Sequence, residues 1–217
     1  AFQELDDVES VYPFYELYVT LTNGKYSYDG VITGIPQSEL AKKDYTKTSR
    51  RTTSNVKPVL VMGDKTAALF YNPDTDQTYD TAEKKKTESW IGRKMELSFW
   101  NSQDTVPVKL EVGAVIDSGE DTYNRDSQSV YCDLDVLKSF LSRMSGGGTL
   151  YGQPLDANGK PYKDFIYSGA VVTIDDIDHV DAAVKKLQDM GYTTENEKEY
   201  LDTIQKYLKM IQLLLGG

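Results

Sequence analysis

Hydrophobic and polar positions change period several times along the chain, and each change predicts an element. Phe2, Leu5 and Val8 lie at helical spacing among polar residues, predicting a short helix over residues 2–10 that ends at Tyr12-Pro13. Tyr15, Leu17, Val19 and Leu21 then alternate with Glu16, Tyr18 and Thr20, the period of a half-buried strand. Asn23-Gly24 predicts a type I′ turn into a second strand over 26–35. After Pro36 a short helical turn is expected, followed by an exposed loop over 42–57.

The segment 57–144 reads as a separate unit. Val59–Met62 is a short apolar strand, and Asp64 is placed to cap a helix running to Tyr71. Residues 72–89 are polar and predict a hairpin-like excursion. Strands follow at 93–100 and 106–116, the second placing Val106, Val108, Leu110, Val112 and Ala114 on one face. A strand at 127–132 runs into Asp133, a predicted N-cap for a helix to about Met144. Ser145-Gly146-Gly147-Gly148 breaks the chain, and an Asn158-Gly159 turn follows.

The last third predicts a strand over 165–174 and a helix whose start carries Asp175, Asp176 and Asp178, carboxylates that favour an N-terminus. Ile177, Val180, Val184 and Leu187 form its apolar face, and Gly191 closes it. Thr194 and Glu197 match a capping box for a final helix. That helix carries Leu201, Ile204, Leu208, Ile211 and Leu215 at steps of three and four, the seam of a packing stalk.

Composition narrows the function classes. The 217 residues, 39% hydrophobic and 27% charged, suffice for a substantial core, and 16 Tyr against 6 Phe suit a sheet protein. A net charge of −10 repels phosphate backbones, so nucleic acid is not an expected partner. Cys132 is the only cysteine, which excludes an internal disulfide and a cysteine zinc set. No signal peptide or membrane run is visible, and both ends read as cuts in a longer chain.

Sites of chemistry are few. His179, the only histidine, stands among carboxylates without a second imidazole, and reads as structural rather than as a ligand or base. Asn72-Pro73-Asp74-Thr75-Asp76 with Asp80 lacks the sixth-position Gly and the bidentate Glu of a calcium loop, and Asp156-Ala157-Asn158-Gly159 fails the same test. The glycine run is not followed by Lys-Ser/Thr, so no phosphate loop exists. Cys132 falls inside a strand and reads as an inert buried thiol. No cofactor, metal or catalytic residue is expected. Lys42, Lys43, Lys47, Arg50 and Arg51, in a loop where six Lys or Arg meet one acid, are candidate contacts for a partner or anionic lipid; a solvated loop is the alternative.

The order of "VESVYP", "YDGVITGI", "VLVMGDKTAALF", "WIGRKMELSF", "VPVKLEVGAVID", "SVYCDLDVLKSF" and the closing segment from Ile174 to Gly217 resembles the MacB/FtsX-type permease family of ABC transporters, in its extracytoplasmic MacB-like core domain. The resemblance implies an α+β fold. A porter-like subdomain with βαβ-type elements would be built from residues 1–40 and 162–195, with a sabre-like mixed subdomain inserted at 57–145 and a stalk helix at 196–217 leading to the second membrane helix. It further implies a non-catalytic domain on the outer face of a bacterial membrane. Such a domain recognises a substrate or partner and passes motion along the stalk. Implied partners are the permease's membrane part, a cytoplasmic ABC ATPase, and a second permease copy or an accessory protein of the membrane-fusion type. The residues leave two other readings open: a free-standing secreted or surface binding module, and a hydrolase with a dispersed active site.

Overall fold

A computed structural model of the chain describes residues 7–46, 57–99, 108–119, 124–146 and 148–196. These form two compact units, Pro13–Ala170 and, separately, residues 7–12 with 171–196.

Strand β1 (Val8–Asn23) pairs antiparallel with β2 (Tyr26–Ile35) from Tyr15↔Gly34 to Asn23↔Tyr26. Tyr15, Leu17, Val19 and Leu21 are buried while Tyr18 is 62% exposed, as the alternation predicts. Full burial of each aliphatic side chain is worth about 1.5–3 kcal/mol. The turn itself differs. Asn23 pairs with Tyr26, so the loop is Gly24-Lys25, and only Gly24 takes a positive φ, +64°. That is the II′ pattern, with glycine at the first central position, rather than I′.

The predicted N-terminal helix is corrected where it can be followed: Val8–Ser10 are strand, and residues 2–6 fall outside the described residues. Tyr12-Pro13 does not stop an element either. The clash of the proline ring with its predecessor disfavours helix and favours extended backbone, so β1 runs straight through.

Four further strands complete a closed ring: β3 (Val59–Gly63), β6 (Lys94–Phe99), β7 (Val108–Ile116) and β8 (Val130–Asp133). Around the ring β2 pairs with β8, β8 with β3, β3 with β7, β7 with β6, and β6 returns to β1. The β2–β8 and β3–β7 pairs are parallel and the others antiparallel. A short hairpin, β4 (Tyr71–Asn72) and β5 (Gln77–Thr78), joins β2 at Ser27↔Tyr71. Closure consumes the open edges that would otherwise invite strand addition. Two ring strands come from residues before 57 and four from 57–133, so hydrogen bonding links these two segments into one sheet.

The ring encloses side chains from every strand, among them Leu17, Ile32, Leu60, Met95, Leu110 and Cys132. In β3 all five residues are buried. The β3–β7 register slips between Leu60 and Val61, which face Val112 and Ala114, so Gly113 is the extra residue of a bulge. At Gly63 a Cβ would lie 2.1–2.3 Å from the Asp126 and Ser127 backbone, and only glycine fits.

The connections carry more core than their polarity suggests. Helix α1 spans Gln37–Leu40. The helix expected from Asp64 to Tyr71 is a 3-10 turn at Thr66–Leu69 that begins after Lys65 and has no side-chain cap; Asp64 instead accepts a hydrogen bond from Ser118 Oγ at 2.6 Å. Beyond the hairpin come α2 (Tyr79–Glu83) and a 3-10 turn at Thr87–Trp90. Trp90 is fully buried, with ring centroids 4.7 Å from Phe70 and 4.5 Å from Tyr79. Helix α3 (Leu134–Met144) starts as predicted, with the Asp133 carboxylate accepting from the Asp135 and Val136 amides.

Strand β9 (Gly169–Ile174) leads from the larger unit into the smaller one and begins four residues later than the alternation predicts. Within the smaller unit the Asp175 amide donates to the Asp7 carbonyl at 3.1 Å. Asp176 caps a 3-10 turn at Ile177–His179 that continues as α4 (Val180–Asp189). The helix ends in a Schellman motif: Tyr192 N–H donates to Leu187 O and Gly191 N–H to Gln188 O, with Gly191 at φ +89°. Ala183 and Leu187 are buried, Val180 and Val184 half-buried, and Ile177 lies 55% exposed because it belongs to the 3-10 turn rather than to the helix stripe.

Candidate recognition cleft

Helix α3 presents two faces. Leu134, Leu137, Phe140 and Leu141 point into the core, which leaves Lys138, Ser139, Ser142 and Arg143 on the outer side at helical spacing. The chain returns along this outer face through residues 148–167. Gln153 holds the return in place as a peptide group would, donating to Ile166 O at 2.9 Å and accepting from Ile166 N at 2.7 Å. Phe165 packs edge-on against Tyr15 at 4.8 Å, and Tyr151 stacks on Phe99 at 4.2 Å. Lys138 closes the arrangement by donating to Tyr167 Oη at 3.0 Å with its ammonium 5.1 Å from both the Phe165 and Tyr167 ring centres.

Between helix and return lies a cleft of about 690 Å³. Lys138, Arg143 and Lys163 line it against one carboxylate, Asp164. Its walls combine hydroxyl and amide groups from Ser139, Ser142 and Gln153 with the aromatic faces of Tyr162 and Phe165. The described lining of the cleft is thus locally positive and partly aromatic, on a chain of net charge −10. Nothing in the sequence pattern singles it out. The available signal was the cation at Lys138 combined with the run of Tyr and Phe at 162, 165 and 167, residues that are far apart along the chain.

The predicted site residues fall elsewhere. Lys42 forms an ion pair with Glu39 at 2.8 Å, and Lys43 pairs with Asp126 at 2.6 Å while lying 5.2 Å above the Tyr131 ring. Lys43 is therefore engaged within the fold while Lys42 stays on the surface, and burial, with the Asp126 charge added, pushes the Tyr45 phenol up to about 12. Lys47, Arg50 and Arg51 lie outside the described residues, as do Leu201, Ile204, Leu208, Ile211 and Leu215. Cys132 is fully buried, and burial pushes its thiol well above the usual range, which keeps it neutral. In the 72–76 turn Asn72 Oδ1 accepts from the Asp74 amide, an Asx turn. Asp156 Oδ1 likewise accepts from the Asn158 and Lys160 amides.

In the smaller unit His179 meets carboxylates other than its sequence neighbours Asp178 and Asp181. Its Nδ1 lies 3.0 Å from Asp175 Oδ1 and 3.7 Å from Asp7 Oδ1. The hydrogen bond to Asp175, then the Asp7 charge, raises the imidazole above its usual range, and the same bond lowers Asp175. All three side chains are exposed.

No family model matches the chain, and no curated protein does. Several solved structures match the chain, among them two that cover most of its length. The first is the extracellular domain of the noncanonical ABC-type transporter YknZ from Gram-positive bacteria, at 17% identity, covering 89% of this chain and 82% of that one with a TM-score of 0.45. The second is the periplasmic region of MacB from Actinobacillus actinomycetemcomitans, at 14% identity, covering 94% and 78% with a TM-score of 0.45. The chain is similar to both. The chain itself combines a mixed sheet with a few helices, and no helix among its described residues is long and apolar enough to cross a membrane.

Proposed function

We propose that this chain is the extracytoplasmic domain of an ABC transporter permease, a non-catalytic module that recognises a substrate or partner and transmits motion to and from the membrane. The observation that carries the recognition half is the α3 cleft, a surface built from a capped helix and a clamped return. The ordered segments from "VESVYP" to the 201–215 stripe support the permease assignment. In this reading residues 1–40 with 162–195 correspond to the porter-like part and 57–145 to the sabre-like part, the two sharing the strand ring, and 196–217 to the stalk. The nucleotide is handled by a separate cytoplasmic ATPase, since the chain has no phosphate loop.

The test uses the exposed position 18 in the full-length protein. Tyr18→Cys is expected to react with a membrane-impermeant maleimide in intact cells or spheroplasts, while buried Cys132 stays silent. Labelling only after lysis contradicts an extracytoplasmic location and favours another class of binding protein.

A further inference from the structure

We propose that the cleft between α3 and the 148–167 return is a docking site for an acidic, aromatic-bearing peptide segment of a partner protein. The inference rests on the recognition reading above and names its ligand class. Charge complementarity is the first argument. Lys138, Arg143 and Lys163 line one cleft whose described lining residues include one carboxylate, Asp164, on a chain of net charge −10.

Shape is the second. A small-molecule site encloses most of its ligand. Here Ser139, Ser142, Arg143, Tyr162, Lys163 and Asp164 are all exposed, so the walls stand open. An extended peptide that lays several side chains along a trough suits this form better than a compact molecule. Tyr162, at 51% exposure, offers an apolar face for an aromatic partner beside the cations, the residue mix enriched at protein interfaces.

Pre-organisation is the third. Lys138 is already fixed by its Tyr167 hydrogen bond and two ring contacts, and Gln153 fixes the return, so part of the ordering that binding needs is already in place.

The experiment is a selection of displayed random decapeptides on the immobilised 217-residue chain and on its Arg143→Glu/Lys163→Glu variant, followed by affinities of the enriched peptides. Peptides rich in Asp or Glu with Trp, Tyr or Phe are expected to be enriched at least tenfold on the wild type. Their dissociation constants should rise at least tenfold in the double variant, at least threefold in Lys163→Ala, and markedly with added salt. Both positions are exposed, and circular dichroism melting checks that the variants fold. Absence of acidic enrichment, equal binding to both proteins, or full displacement by millimolar inorganic phosphate, which marks a simple anion site, overturns the proposal. Maleimide labelling at position 18 does not depend on this outcome, so the peptide claim fails separately from the ectodomain reading.

Discussion

Residues 13–170 and the unit of 7–12 with 171–196 are stabilised by different means. In the first, a closed six-strand ring and the Phe70–Tyr79–Trp90 cluster remove large side chains from water. In the second, Ala183 and Leu187 are the only buried hydrophobic residues among those described. Besides the pairing of β9 with β1, the smaller unit relies on small devices: the Asp176 cap, the Schellman closure at Gly191 and the exposed His179 pairs. Burial scales with area and survives salt, whereas caps and exposed ion pairs contribute little each and open locally. The contrast predicts where perturbations are felt globally and where they stay local.

The largest expected effect lies in the ring unit. Trp90→Ala removes a fully buried indole packed against the Phe70 and Tyr79 rings and should cost about 3–5 kcal/mol in denaturant unfolding. A loss below about 1 kcal/mol breaks the comparison, since the cluster would then not act as core. Next is Gly191→Ala in the smaller unit. A side chain at φ +89° is strained, and the expected cost is about 1–2 kcal/mol, seen as faster amide exchange confined to α4. Exchange that accelerates throughout the ring as well would show that the two units open together.

The smallest effect concerns His179. Its imidazole is raised by Asp175 and Asp7, so the stabilising charge is present below the usual histidine range and is lost as pH rises through the elevated value. Asp175 is lowered, so its contribution appears above the usual aspartate range and is lost as pH falls through its depressed value. The pair therefore acts in the window between those two titrations. An NMR titration should place His179 above an unstructured histidine, and Asp175→Asn should return it towards that reference. An unshifted His179 in the wild type would remove the pair from the account of the smaller unit.

The sequence disclosed those parts of the fold where period and burial coincide. Tyr15 to Leu21 alternate because one face of β1 lines the ring, and Asp133 announced α3 because an N-cap is a local interaction. Ring closure was not legible: β2 meets β8 and β3 meets β7 across long separations that no local pattern records. The short segments failed for a related reason. Residues 8–10 carry helical spacing but join a strand because tertiary pairing overrides propensity, and the 72–89 stretch reads as polar although Tyr79 and Trp90 anchor it in the core. The cleft combines α3 with residues up to 29 positions away, as in the Lys138–Tyr167 bond, so its charge and aromatic content are dispersed along the chain. The stalk stripe is the opposite case, periodic in sequence but outside the described residues.

In the proposed function that stripe is the part that would transmit motion to the membrane. On the proposed stalk reading, in the full-length protein reconstituted with the proposed ATPase partner, Leu208→Glu would set a carboxylate against apolar neighbours, at a cost of several kcal/mol if it stayed packed. The decisive measurement is transport and ATP hydrolysis in the same proteoliposomes for wild type and Leu208→Glu. The account predicts that transport falls at least tenfold while nucleotide binding is retained and hydrolysis continues uncoupled; undiminished transport in the variant would contradict a stalk that carries motion between the outer domain and the membrane.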